Sequence, residues 1–318
     1  MLVKIIAELC QNHKGDIDIL KRMVWEAVEA GATYAKIQTI FAGDLTNRER
    51  FEEGVREGDV VKVIKRPYAP EYARLKPMDL NRKAHEIFLN ECQAAGIKPL
   101  TTIFARRRIP LVHESGFKEV KVASYDCASF PMLRDLKERF QHLYISTGAT
   151  FDNEVKRAAK TLSGHSFSFL HCVTIYPTPL RELNLRRMNY LRKFTNEVGL
   201  SDHTLVERDG LKASVVAISL GAQVVERHFT VLDRSLTKDG PLSIDPKQLK
   251  QLVELSKMSQ VELEGYIRRN IPEFDQMVGS ERRALSHEEL LNRDYYRGRF
   301  ASKVDGQVIY NWEDKKVF

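Results

Sequence analysis

Eight short runs rich in β-branched residues alternate with amphipathic helical stretches along this 318-residue chain. Such alternation indicates parallel βαβ units, and eight of them close most naturally into a (β/α)8 TIM barrel of the α/β class. An open doubly wound sheet is the runner-up, but no Gly-x-Gly-x-x-Gly motif follows the first strand. The predicted strands are 3–8, 34–38, 97–102, 119–123, 143–146, 166–171, 197–200 and 223–228.

The predicted helices divide the chain into a barrel and a short C-terminal extension. The barrel would occupy residues 1–266, with a long polar excursion at 39–79 after the second strand. Residues 267–318 would form a truncated tail, because a polar stretch of this length is too short for a sizeable core. The predicted helices are 17–30, 81–95, 107–115, 132–139, 153–162, 185–194, 209–220 and 246–266.

Composition excludes several classes of protein. Hydrophobic residues make up 43% and charged residues 29%, which is ordinary globular usage. No apolar run approaches the roughly 18 residues of a membrane span, and Lys4 and Glu8 interrupt what could have been a secretory signal. We therefore expect a cytoplasmic protein. Its four cysteines lack CxxC spacing and are expected to be buried thiols: Cys10, Cys92, Cys127 and Cys172.

The net charge of +7 favours small anionic ligands over nucleic acid. Lysines and arginines are spread along the chain, and no basic block is interleaved with aromatic residues. The only basic triplet, Arg106 to Arg108, is expected to be the solvated start of a helix. A positive balance suits a pocket for phosphates and carboxylates.

Polar side chains end nearly every predicted strand, which is where barrel enzymes carry their chemistry. Lys121 with Ser124, Ser146 and Ser201 could line an anion site, because an ammonium and hydroxyls donate hydrogen bonds to phosphate oxygens. A Lys on an inward strand position could instead form a Schiff base. A class I aldolase using Lys36 or Lys121 therefore stays open as an alternative.

Two histidines end neighbouring strands. His203 and His228 could ligate a divalent metal through neutral imidazoles, although a structural role for each is equally compatible with the pattern. Glu8 would lie beside them in a closed barrel, as a carboxylate ligand or a general base. From the residues alone, the prediction is a barrel enzyme that acts on small anions.

These strand ends resemble the sialic acid (N-acetylneuraminate) synthase family, in order along residues 3 to 250. The resemblance rests on these motifs: Ala7-Glu8-Leu9, Asn12-His13-Lys14-Gly15-Asp16, Lys36-Ile37-Gln38-Thr39, Lys121-Val122-Ala123-Ser124, Ser146-Thr147-Gly148, Leu170-His171-Cys172, Tyr176-Pro177-Thr178-Pro179, Asn184-Leu185, Gly199-Leu200-Ser201-Asp202-His203-Thr204 and Glu226-Arg227-His228-Phe229-Thr230.

The resemblance implies an enzyme that condenses phosphoenolpyruvate with the aldehyde of an N-acylhexosamine and releases phosphate. The product would be a nonulosonic acid, and the acceptor N-acetylmannosamine, its 6-phosphate or a diamino-dideoxy sugar. The implied roles are as follows: Lys36, Lys121, Ser124, Ser146, Asn184 and Ser201 for phosphoenolpyruvate; His203 and His228 for Mn²⁺ or Mg²⁺; Glu8 beside the metal; and Gln38, Asp126 and Asp239 for the sugar. Glu8, Lys36 and Lys121 would be the catalytic residues.

The chain also departs from that family. Thr101 to Ala105 replaces a Ser-Thr-Pro-Phe-Asp segment, and Thr237 to Gly240 keeps only the acid of a Gly-Pro-Asp-His segment. The antifreeze-like domain, which brings an arginine to a partner's sugar site, is missing or reduced to the tail. Arg282, Arg283, Arg297 and Arg299 are candidates to replace that arginine. The resemblance makes a homodimer an expectation, and the stretch 51–78 is either a sugar lid or a solvated loop. A non-catalytic barrel that binds phosphoenolpyruvate or a sugar is the further alternative.

Overall fold

The computed structural model describes residues 3–318 and confirms the (β/α)8 barrel. Eight parallel strands close into one barrel. A two-stranded hairpin of β3 (Val55–Glu57) and β4 (Val60–Val63) interrupts the series after the second barrel strand. The barrel strands are β1 (Lys4–Cys10), β2 (Tyr34–Thr39), β5 (Lys98–Ile103), β6 (Glu119–Val122), β7 (His142–Ser146), β8 (Phe167–His171), β9 (Val198–Asp202) and β10 (Val224–His228). They are hydrogen-bonded in the order β1-β10-β9-β8-β7-β6-β5-β2.

Fourteen α-helices lie in the part of the chain that the structure describes, and most of them surround the barrel. They are α1 (Ile17–Glu29), α2 (Arg50–Glu53), α3 (Tyr68–Leu75), α4 (Arg82–Ala95), α5 (Ile109–Ser115), α6 (Phe130–Lys137), α7 (Asp152–Thr161), α8 (Arg187–Leu191), α9 (Val206–Asp209), α10 (Lys212–Ser219), α11 (Pro246–Ser256), α12 (Gln260–Asn270), α13 (Phe274–Val278) and α14 (His287–Tyr296).

The two-residue alternation of the strands separates the helix-facing core from the barrel interior. In β1, Ile5, Ala7 and Leu9 pack in the large core under the helices, whereas Ile6 belongs to a small cluster inside the barrel. That interior cluster fills the end of the barrel at which the strands begin. Its members are Ile6, Tyr34, Leu100, Tyr144, Leu170 and Val224. The same alternation carries the next inward residue, Glu8, to the opposite end of the interior.

Two predicted helices differ from the structure. The helix predicted at 246–266 breaks between α11 and α12, where Ser259 begins a new helix by accepting a hydrogen bond from the Glu262 amide. The helix predicted at 209–220 begins later, as α10 at Lys212, because Asp209 ends the short helix α9 and Gly210 follows with φ +54°. Capping residues and a glycine set these helix boundaries, whereas the periodic spacing of apolar residues alone would continue the helices.

The tail predicted at 267–318 contains regular secondary structure. After α14, β11 (Ala301–Val304) and β12 (Gln307–Tyr310) form an antiparallel hairpin. We call residues 287–318 the C-terminal segment. It lacks a core of its own but packs on the excursion at 39–79: Tyr295 lies against Phe51, and Phe300 is buried with Leu45 and Leu75.

The basic triplet is not a solvated face. Arg106 is only 4% exposed, and its Nε atom donates to Asp135 Oδ2 at 2.6 Å. Its Nη1 atom donates to the carbonyl of Glu313 at 2.8 Å. The guanidinium therefore fastens the C-terminal segment to the barrel, a contact between distant parts of the sequence that local periodicity cannot reveal.

All four cysteines are free and buried. None of the helices among residues 3–318 combines the length and the apolar character needed to cross a membrane.

Candidate active site

A cavity of about 420 Å³ opens where the barrel strands end. Its volume lies in the range of small-molecule sites. The structure brings nearly all of the predicted site residues to its wall, and they come from every barrel strand except β5 and β8 or from the loops that follow. The predicted residues that line it are Glu8, Lys36, Gln38, Lys121, Ser124, Asp126, Ser146, Ser201, His203, His228 and Asp239.

A buried row of alternating charges crosses the interior. The Nζ atom of Lys36 forms an ion pair with Glu8 and lies 3.4 Å from Glu226 Oε1. The Nζ atom of Lys121 lies 3.6 Å from Glu226 Oε2. Gln38 adds a hydrogen bond of 2.7 Å from its amide to Glu8 Oε1. Glu226 therefore connects the two lysines, and the four charges compensate one another.

The two carboxylates of this row differ. Burial raises the pKa of Glu8, against the opposing charge of Lys36. Burial also disfavours ionisation of Glu226, but the charges of Lys121 and Lys36 outweigh it and hold its pKa below the ordinary value. Burial lowers the pKa of Lys121, whereas for Lys36 the charges of Glu226 and Glu8 overcome burial and raise the pKa. Glu226 is therefore the fixed counter-ion, and Glu8 is the carboxyl able to hold a proton.

Lys121 shares the cavity wall with several serine hydroxyl groups. Lys121 donates from Nζ to Ser146 Oγ at 2.6 Å. Ser124 accepts a hydrogen bond of 3.1 Å from the Gly148 amide. A side chain at Gly148 would collide with this site, because a Cβ there would lie 2.9 Å from Ser124 Oγ and 2.5 Å from Thr174 Cγ2. An ammonium among hydroxyls is a suitable environment for phosphate oxygens.

Two imidazole rings lie close together in another part of the cavity wall. The rings of His203 and His228 are 5.2 Å apart between centroids, and the buried Nδ1 atom of His228 has no hydrogen-bond partner among the described residues. Burial and the neighbouring His228 lower the pKa of His203, so that its ring is neutral. Cys10, His228 and Asp239 also place one ligand atom each within 4.8 Å of one another. Neutral imidazole and carboxylate groups in this arrangement can hold a metal ion.

An ion pair behind the barrel wall positions both histidines. Arg227 and Asp202, each next to a histidine in sequence, are fully buried, and Arg227 Nη1 lies 2.5 Å from Asp202 Oδ1. Asp202 also accepts from Ser214 Oγ at 2.6 Å, and Arg227 donates to the Thr204 carbonyl. These bonds fix the ends of β9 and β10 relative to each other, as supporting contacts commonly orient metal-binding histidines.

Asn184 is the predicted site residue that the structure does not bring to the cavity. Its Oδ1 atom accepts a hydrogen bond of 3.0 Å from the Ser280 amide, and its amide donates to the Glu182 carbonyl. Gly279 makes this approach possible, because a Cβ there would lie 2.4 Å from Asn184 Oδ1. Asn184 is held outside the barrel mouth, against the turn after α13, and its geometry gives no support to a contact with phosphoenolpyruvate.

Some wall residues of the cavity had no role in the sequence-based predictions. Glu226 was noted only within a motif at the end of its strand, although strand alternation makes it point inward two residues before His228. No local sequence pattern predicted that residues of the C-terminal segment would line the cavity. They include Tyr296, which stacks on Tyr125 with 4.9 Å between ring centroids, and Asn311, whose amide donates to Asp126. Of the four candidate arginines, Arg299 lines the cavity.

A family model and several curated proteins match this chain. The model of the NeuB family matches residues 23–266. N,N'-diacetyllegionaminic acid synthase of Legionella pneumophila is 31% identical across 95% of this chain and 83% of its own length. Pseudaminic acid synthase of Campylobacter jejuni is 29% identical across 99% of this chain and 86% of its own length.

Solved structures agree on the fold. The N-acetylneuraminic acid synthetase of Leptospira borgpetersenii, in complex with citrate, superposes with a TM-score of 0.69 at 24% identity, over 93% of this chain and 91% of that one. The spore coat polysaccharide biosynthesis protein SpsE of Bacillus subtilis gives a TM-score of 0.70 at 24% identity, over 92% of this chain and 77% of that one. Both likenesses extend beyond residue 266.

Proposed function

This chain belongs to the NeuB family, and we propose that it is a sialic-acid-synthase-like enzyme that joins phosphoenolpyruvate to an N-acylhexosamine-type aldehyde. The products would be a nonulosonic acid and phosphate. The observation that carries this proposal is the joint presence, in one cavity, of an ammonium among hydroxyls and a pair of imidazoles. The relatives support this condensation, and neither the class I aldolase nor the binding-only alternative gains support from them.

Phosphoenolpyruvate would occupy the inner part of the cavity. Its phosphate would accept hydrogen bonds from Lys121, Ser124, Ser146 and Ser201, which line that wall. Lys36 would balance the remaining negative charge when Glu8 holds a proton, because the row of two lysines and two glutamates then carries a net positive charge. Preorganised donors of this kind stabilise developing charge without reorganisation during the reaction.

The imidazole pair would hold a divalent cation. His203 and His228 would supply nitrogen ligands, and Asp239 a nearby carboxylate. The unpartnered Nδ1 atom of His228 supports this role, because a buried polar atom normally has a partner. We propose Mn²⁺ or Mg²⁺ as the ion. When bound, it would act as a Lewis acid toward the acceptor aldehyde.

Bond formation would join C3 of phosphoenolpyruvate to the aldehyde carbon. Water would then add at C2, and cleavage of the bond between C2 and the phosphate oxygen would release phosphate, which would take up the proton of the C2 hydroxyl as C2 becomes the ketone. The Glu8 carboxyl, held in place by Lys36 and Gln38, would accept the proton that the added water gives up and return it to the oxygen of the former aldehyde. The ammonium groups of Lys36 and Lys121 would offset the phosphate charge throughout.

The sugar would lie between this centre and the mouth. Gln38, Asp126 and Asp239 line that part of the wall and are the proposed sugar contacts. N-acetylmannosamine, its 6-phosphate and diamino-dideoxy hexoses are the proposed acceptor classes. A homodimer is proposed as the assembly, to be measured by light scattering.

Phosphate release from phosphoenolpyruvate in the presence of Mn²⁺ and a panel of acceptor aldehydes tests the function. We expect release that depends on the acceptor and is abolished by a chelator or by His203→Ala. Binding of phosphoenolpyruvate without release for any acceptor would favour the binding-only alternative. Borohydride trapping of a substrate on Lys36 or Lys121 would instead establish the aldolase chemistry.

A further inference from the structure

A second group of cations lies at the mouth of the cavity, apart from Lys36 and Lys121. Arg74 of α3, Lys238 of the loop after β10 and Arg299 of the C-terminal segment all line the cavity. We call these three residues the mouth cluster. They come from three separate stretches of sequence, so their convergence is a product of the fold.

One carboxylate organises the two arginines of the mouth cluster. Glu71 accepts two hydrogen bonds from Arg74, of 2.8 Å from Nη2 and 3.0 Å from Nε. It also forms an ion pair with Arg299. Burial opposes ionisation of Glu71, but the hydrogen bond of Arg74 and the charge of Arg299 outweigh it and lower the pKa to about 2. Glu71 therefore fixes the guanidinium groups and cancels one of the three positive charges. The charge of Asp239 also acts on Arg74 and Lys238, which leaves one positive charge of the mouth cluster without a carboxylate.

Part of the donor capacity of the mouth cluster is unused. The Nε atom of Arg299 is buried and has no hydrogen-bond partner among residues 3–318, and Arg299 is only 9% exposed. Lys238 makes neither a hydrogen bond nor an ion pair with any described residue. Such crowded and underused cations indicate that an anion belongs among them.

The position of the mouth cluster indicates which substrate carries that anion. The inner donors, Lys121 and its neighbouring serines, already account for the phosphate of phosphoenolpyruvate under the proposed function. The acceptor must present its aldehyde carbon to phosphoenolpyruvate, so its opposite end extends toward the mouth. We propose that the acceptor carries an anionic group at that end, a phosphate ester or a carboxylate, and that the mouth cluster binds it. This inference rests on the proposed function.

Three matched acceptors test the proposal: a neutral N-acylhexosamine, its 6-phosphate and its 6-carboxylate. We expect kcat/KM to be at least tenfold higher for one of the two anionic acceptors than for the neutral one. Comparison of the phosphate with the carboxylate identifies the group. The Lys238→Met and Arg299→Gln variants should reduce the ratio of anionic to neutral kcat/KM toward one. Lys247→Met, which removes an exposed cation on α11, should leave the ratio unchanged.

Other outcomes would overturn the proposal. Equal kcat/KM for the three acceptors would show that the mouth cluster does not bind an acceptor anion. An increase in KM for phosphoenolpyruvate in Lys238→Met, with an unchanged acceptor ratio, would assign the mouth cluster to phosphoenolpyruvate. If no acceptor triggers phosphate release, the proposed function itself fails. Circular dichroism of each variant separates these results from misfolding.

Discussion

Asn311 donates a hydrogen bond of 3.0 Å from Nδ2 to Oδ1 of Asp126, a residue 185 positions earlier in the sequence. Ser129 Oγ donates to the same carboxylate oxygen at 2.8 Å. The hairpin at the end of the chain thus contacts a side chain of the cavity wall directly. Even with these two bonds, burial dominates and raises the pKa of Asp126 to about 6.

Asp126→Asn should stabilise the protein in a pH-dependent way. The ordinary pKa of 3.8 describes the unfolded chain, and the folded value is about 6. Ionisation of Asp126 therefore reduces the stability of the folded protein as the pH rises from 3.8 to about 6, by a total of about 3 kcal/mol. The asparagine Oδ1 atom can still accept both hydrogen bonds.

Urea denaturation of both proteins at pH 4 and pH 8 measures this effect. The difference in unfolding free energy between variant and wild type should be larger at pH 8, by up to about 3 kcal/mol. A difference that is equal at the two pH values would contradict the raised pKa.

Arg106→Gln should loosen the C-terminal segment. The substitution removes a nearly buried ion pair with Asp135 and the hydrogen bond to the Glu313 carbonyl. We expect a loss of about 2 to 4 kcal/mol in unfolding free energy. Limited proteolysis should cleave the segment faster. Arg134→Gln is the matched control, because Arg134 pairs with Asp314 at the exposed surface and should contribute less than about 1 kcal/mol.

Glu226→Gln should weaken the fold as well as the chemistry. Without this carboxylate, Lys121 loses its ion-pair partner and Lys36 keeps only Glu8. Removal of one partner from a buried ionic network typically costs about 3 to 5 kcal/mol. Thermal and urea denaturation measure the loss, and Glu57→Gln, at an exposed pair with Lys62, is the control. Unchanged stability would mean that water or an ion compensates the positive charges of Lys36 and Lys121.

The chain itself closes the acceptor side of its cavity, so the specific activity should not depend on protein concentration. Tyr296, Arg299 and Asn311 of the C-terminal segment line the same cavity as the barrel residues. We expect constant kcat per chain from nanomolar to micromolar protein, whether or not light scattering finds a dimer. A fall in kcat on dilution, parallel to dissociation, would show that a second copy completes the site.

The barrel and its inner residues could be predicted because they depend on local patterns. Strand alternation fixes which side chains point inward, and the ends of parallel strands meet at one edge; Glu8, Lys121 and His228 follow from these rules. Arg106 and Asn311 could not be predicted, because each acts through partners that are distant in sequence. Asn184 was assigned by resemblance, whereas its backbone, with φ +48°, directs it to the turn at Gly279.

The interior cluster around Tyr34 and Tyr144 closes the end of the barrel at which the strands begin, so that the cavity opens at the other end. The hydroxyl of Tyr144 donates to that of Tyr34 at 2.9 Å, which in turn donates to Glu119, so the floor is both apolar and hydrogen-bonded. Both substrates and both products must then enter and leave through the same opening, which the C-terminal segment lines in part. The substrate that binds innermost therefore has to bind first, and a product that remains beside the inner serines is released last.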